Sequence, residues 1–191
     1  MPASDAFRAR WIEDTAERFR AIKAQADAAL AQVTDDEFFR SPAAQSNSLA
    51  VLVKHMAGNL RSRWTDWLTT DGEKPDRGRD AEFGIDATDT RESLMSAWER
   101  GWRLVFDALD ALAPADLERT VTVRGEAYTI EGAVSRQLAH AASHGGQIVY
   151  VAKLLRDVGW RTLSISRGES DRFNREMRER QERQRSGAQA S

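Results

Sequence analysis

The chain has 191 residues, 41% hydrophobic and 30% charged, which suits one domain with a real core and a solvated surface. Lys and Arg number 28 against 30 Asp and Glu, a formal net charge of -2 without the positive excess that marks a nucleic-acid binder. Cysteine is absent, which excludes disulfides, thiolate metal sites and cysteine nucleophiles.

The N-terminus, Met1 to Asp5, has no apolar signal core, and acidic Glu13, Asp14 and Glu17 follow. No apolar run approaches the roughly 18–20 residues of a membrane span. A soluble, cytoplasmic protein is expected. From Ser4 to Val33, Trp11, Thr15, Phe19, Ile22, Ala26, Leu30 and Val33 recur at steps of three and four, one face of an amphipathic helix. Thr34 to Glu37 reads as a cap and short turn, and Ser41-Pro42 as a stop.

A second helix starts near Ser46 or Ser48, carries Leu49, Leu52, Val53, Met56, Leu60, Trp64, Trp67 and Leu68, and ends at Asp71-Gly72. Glu73 to Asp80 is polar, rich in turn formers, and reads as a surface loop. Thr88 or Asp89 caps a third helix with Leu94, Trp98, Trp102, Val105, Leu109 and Leu112, stopped near Pro114. The period then falls to two. Thr120–Val123 and Ala127–Ile130, joined by Arg124-Gly125-Glu126, predict a small β-hairpin.

The fourth helix runs from Glu131 to Asp157 along Val134, Leu138, Ala141, Ile148, Val151 and Leu155. Beyond Gly159 the tail becomes rich in Arg and Glu at helical spacing, which reads as a solvated, partly frayed helix. Four amphipathic stripes satisfy one another in an all-α four-helix bundle with a minor hairpin before the last helix. The predicted organisation is a bundle domain over 1–165 and a polar, partly helical or disordered tail over 166–191.

Three histidines occur in the whole chain. His140 and His144 lie four apart in the fourth helix and project from one face, a separation that lets two imidazoles reach one ion. His55, in the second helix, sits at the edge of its apolar stripe and could supply a third ligand. The competing reading is three core-edge histidines satisfied by backbone or water, and spacing alone does not separate the two.

Small residues surround the pair. Gly145-Gly146 inside a helix costs about 1 kcal/mol per glycine, so room is needed there, for a ligand or for close helix packing. Three neutral imidazoles leave a tetrahedral position vacant, as in catalytic zinc sites, where an ion lowers the pKa of water and polarises a substrate oxygen. Zinc or nickel fits best, and iron, manganese and cobalt also accept imidazole. Asn59 and Gln147, each one turn from a histidine, could orient a ligand or a water, or be ordinary polar surface. Nothing in the sequence places an acid such as Glu13, Glu17, Asp66, Glu92 or Glu99 beside the histidines.

The run Arg136-Gln137-Leu138-Ala139-His140 through His144-Gly145-Gly146-Gln147-Ile148 resembles the last-helix signature of the DinB-like/YfiT-like superfamily of bacterial four-helix bundles. Ser46-Asn47-Ser48 before Lys54-His55, Asp71-Gly72-Glu73-Lys74-Pro75 and Val123-Arg124-Gly125-Glu126 resemble one branch of it, which has no assigned reaction. The resemblance covers about residues 10–170. It implies that His55, His140 and His144 are metal ligands, that a long crossover joins the second and third helices, and that homodimers form. It also implies a metal-dependent hydrolase, or a transferase that uses a low-molecular-weight thiol, acting on a small molecule. A non-catalytic binding or stress-response module and a purely structural ion remain as alternatives.

Overall fold

Serine and threonine start the helices. Ser4 caps α1 (Asp5–Leu30), Thr34 caps α2 (Asp35–Phe39), Ser48 caps α3 (Leu49–Trp64), Thr90 caps α4 (Arg91–Asp110) and Thr129 caps α5 (Ile130–Arg156). Each hydroxyl accepts an otherwise unpaired amide of the first turn, a contact that stabilises a helix by about 1 kcal/mol. The computed structural model describes residues 4–189, with side chains as far as 185. It divides into two compact units, Met1–Val158 and Gly159–Ser191.

In the first unit α1 packs chiefly on α5 and α3 chiefly on α4, with lesser contacts of α3 on α5 and α1 on α4. Two glycines set the close approaches. A Cβ on Gly101 would lie 3.2 Å from Leu60 Cβ, so α4 rests almost directly on α3. A Cβ on Gly145 would lie 3.0 Å from Ile22 Cγ2, which brings α5 against α1. Gly146 has nothing within 4 Å. The room at Gly145 therefore serves helix packing. Between the helices Phe19, Trp64, Trp98 and Trp102 are buried, with Phe19 edge-on to Trp64 at 5.9 Å and to Trp102 at 6.3 Å. Burying each such ring is worth about 1.5–3 kcal/mol.

Four boundaries differ from expectation. Thr34 to Glu37 is a capping box that opens α2 instead of a bare turn, with Thr34 and Glu37 bonded reciprocally at 3.3 and 2.8 Å. Helix α3 stops at Trp64, not at Asp71-Gly72. Thr65 bonds back to the Arg61 carbonyl, Asp66 turns at φ 46, and Trp67 is buried from the turn, so its apolar spacing imitates a longer helix. Helix α4 starts after Thr90 because the alternative caps are engaged elsewhere. Asp86 holds Thr88, and the Asp89 carboxylate holds Lys54 and the Asp86 amide. The hairpin pairs β1 (Thr120–Val123) with β2 (Glu126–Thr129), and Ile130 already belongs to α5.

The connection between α3 and α4 is the largest correction. The sequence reads Glu73 to Asp80 as surface, yet the Arg77 side chain is 2% exposed. A 3-10 turn, Arg79–Phe83, carries Glu82 inward against α3. The connection also grips the hairpin. Its Gly72 amide donates to the Thr122 carbonyl at 2.8 Å, and Asp71 accepts both turn amides, Arg124 and Gly125, at 2.8 Å each. Those two residues have φ 56 and 76, which costs about 1–2 kcal/mol at a non-glycine residue such as Arg124.

The second unit carries α6 (Ser170–Gln189), whose side chains are exposed as far as they are described. Ion pairs along it join Arg172 to Glu169 and Glu176 and Arg183 to Glu179. Among the described residues no helix is long and apolar enough to cross a membrane.

Candidate metal centre

The three histidines converge. His140 and His144 descend from adjacent turns of α5 with ring centroids 4.6 Å apart, and His55 reaches them from α3 at 5.5 and 4.9 Å. One ring nitrogen from each lies within 4.8 Å of the others, an arrangement that could hold a metal ion. Helix pitch explains the first pair. The packing of α3 on α5 supplies the third ring.

Two of the rings have their tautomer set. His55 Nδ1 lies 2.9 Å from Glu82 Oε2, and His144 Nδ1 lies 2.9 Å from Gln147 Oε1. Both partners accept, so each Nδ1 carries the proton and each Nε2 keeps its lone pair for a ligand role. Glu82 is fixed in turn by Arg77, whose Nε and Nη2 donate to its two oxygens at 2.8 Å each. Burial would raise the Glu82 carboxyl, but the bonds from Arg77 and His55 hold it below its ordinary value. Phe83 closes over His55 with ring centroids 4.7 Å apart.

His140 lacks such a partner. Its Nδ1 is buried and unbonded among the described residues. Burial first, then the neighbouring imidazoles of His144 and His55, push its pKa down to about 4. Burial also lowers His144, against the bond to Gln147. Neutral rings are what metal ligation requires. The donor set, with one imidazole nitrogen left orphaned, fits a divalent ion of borderline softness.

The histidines open on a cavity of about 260 Å³. Asn59 and Gln137 line it, 5% and 8% exposed, each with an amide oxygen that has no partner among the described residues. Asn59 therefore faces the cavity without touching a histidine ring nitrogen, whereas Gln147 bonds His144 directly. None of the acids named from the sequence lines this cavity.

The family described as "Protein of unknown function (DUF1572)" matches residues 6–169. The chain belongs to that family. No curated protein matches it. The DUF1572 match spans all three histidines, Glu82 and Arg77, so the whole constellation lies inside the family domain.

Sequence reasoning missed Glu82, the acid beside the histidines. One signal points to it. Gly58 stands one turn after His55 in α3, where a Cβ would collide with Glu82 Oε1. A glycine in mid-helix marks such an approach of another chain segment.

Proposed function

We propose that His55, His140 and His144 hold a divalent metal ion, zinc or nickel ahead of iron, manganese or cobalt, in a DinB-like/YfiT-like four-helix bundle. The protein acts as a metal-dependent hydrolase or thiol-dependent transferase on a small molecule in the cytoplasm. The observation that carries this reading is the convergence of three imidazoles from two helices, two with Nδ1 pinned and the third with an orphaned nitrogen. An ion bound there supplies Lewis acidity, which makes water or a thiol nucleophilic near neutral pH.

The chain's own residues prepare for that chemistry. Glu82 takes the Nδ1 proton of His55 as a hydrogen bond and keeps the ring facing the other two. Arg77 keeps Glu82 ionised, and Gln147 does for His144 what Glu82 does for His55. Glu82 is a positioning residue, because both its oxygens are committed. The adjoining cavity supports an open site over a closed structural ion.

The bundle reading is supported by the cyclic packing of the four long helices of the first unit, α1 on α5, α5 on α3, α3 on α4 and α4 on α1. The bundle domain spans 1–165, with 166–191 as a polar tail and a homodimer as the assembled form. Elemental analysis of tag-free protein tests the centre: about one divalent ion per chain is expected. His144→Ala should abolish binding with helicity retained. Thiol-transfer and ester- or amide-hydrolysis assays should give activity that a chelator removes; chelator-insensitive activity overturns the enzyme reading.

A further inference from the structure

The cavity at the histidines is cationic. Five arginines line it, Arg63, Arg77, Arg79, Arg124 and Arg136, and among the described residues no carboxylate does. They arrive from α3, from the α3–α4 connection, from the hairpin turn and from α5, so no single charged stretch of sequence produces them.

Glu82 and Glu73 offset most of this charge at short range, with smaller contributions from Asp71 beside Arg63 and from Asp80 beside Arg79. Glu82 is occupied by Arg77. Glu73 is shared among three guanidiniums, with Arg63 Nη2 at 2.8 Å, Arg124 Nε at 3.0 Å and Arg77 Nη1 at 3.5 Å. Arg136 forms no ion pair among the described residues, and Glu126 reaches it only through the Tyr128 hydroxyl, which donates to that carboxylate at 2.8 Å. Arg136 itself donates to the Tyr128 hydroxyl at 3.2 Å and lies over that ring. Arg63 is buried, with Nη1 donating to the Gly72 carbonyl and Nη2 to Glu73, and its Nε has no partner among the described residues. Arg79 lies over the Phe83 ring at 5.2 Å and pairs with the exposed Asp80 at 3.7 Å.

Holding like charges together in a half-enclosed space is unfavourable without a counterion. Arg124 adds a second sign, since it occupies a left-handed turn position that asparagine or glycine would fill with less strain. We infer that the substrate of this site is a small anion, a carboxylate or phosphate, gripped by Arg124 and Arg136, with the buried Arg63 adding positive charge behind them, while its reacting group faces the histidines. Guanidinium geometry suits both oxyanions, as paired N–H donors match two oxygens at once. The volume, near the lower limit for ligand pockets, fits a compact metabolite-sized molecule.

This substrate class rests on the metal-centre reading for its orientation, but the anion grip does not need the ion. Calorimetric titration of the full chain, metal-free and metal-loaded, with inorganic phosphate, succinate and uncharged succinamide separates the two. Phosphate, succinate or both should bind, more weakly as salt rises, and succinamide should not. Arg124→Gln and Arg136→Gln, both on exposed residues, should each weaken binding about tenfold with the fold retained by circular dichroism. Preference for phosphate or for succinate identifies the oxyanion. Binding of neither, or binding indifferent to both substitutions, overturns the inference even if the histidines load normally. Anion binding to a protein that takes up no metal upholds the grip and fails the metal-centre reading instead.

Discussion

Two stretches of this chain share an alphabet and differ in fate. Residues 71–82 and residues 169–183 are both dense in Arg, Asp and Glu, and the runs within them, Glu73 to Asp80 and from Asp171 onward, both read as solvated polar sequence. In the first, Arg77 and Glu82 are 2% and 9% exposed and joined by paired bonds of 2.8 Å. In the second, Arg172 is 66% exposed and spans to Glu176 at 3.7 Å. What separates them is the surface beneath. Helix α3 offers Gly58, with space for a carboxylate, and His55, which donates a proton to it. Helix α6 carries Phe173 and Met177 as its large apolar side chains, both exposed, and its charges stay in water, where ion pairs contribute little.

Substitution turns that contrast into numbers. Arg77→Ala should have the largest effect, because it leaves the Glu82 carboxylate buried with half its partners. A loss of about 3–5 kcal/mol in urea denaturation is expected, with reduced metal content. A loss within the noise would place this pair in the same class as α6 and break the comparison. Gly58→Ala should come next. The added methyl displaces Glu82, so stability should fall by about 1–3 kcal/mol. Metal affinity should fall about tenfold as His55 loses its orienting partner. Unaltered affinity in a metal-competition titration would mean that the carboxylate does not orient the ring. Arg172→Ala should do least, with no resolvable change in melting temperature or metal content; a shift as large as that of Gly58→Ala would show that α6 charges are not merely solvated.

Periodic features were legible in the sequence, and features that depend on loops were not. His140 and His144 share a face because a helix repeats every 3.6 residues, and the apolar edge position of His55 marked it as inward-facing. The hairpin showed in the alternation of Val121 and Val123 with threonines, both valines being buried. Glu82 was invisible because it lies 27 residues from His55 in an aperiodic connection. The arginines of the cavity were hidden for the same reason, since only tertiary packing brings Arg63, Arg124 and Arg136 together. The ends of α3 and α4 were misplaced where side chains had other employment: Trp67 packs from a turn, and Asp89 binds Lys54 instead of capping.

The grip of Asp71 on the amides of Arg124 and Gly125 bears on how this scaffold tolerates remodelling. An isolated two-stranded hairpin is marginal in water, so this one borrows its rigidity from a segment some fifty positions earlier in the chain. Grafting either piece into another helical protein would transplant half a joint. The interhelical connection and the hairpin form one exchangeable cassette, to be shortened, swapped or shuffled only as a pair.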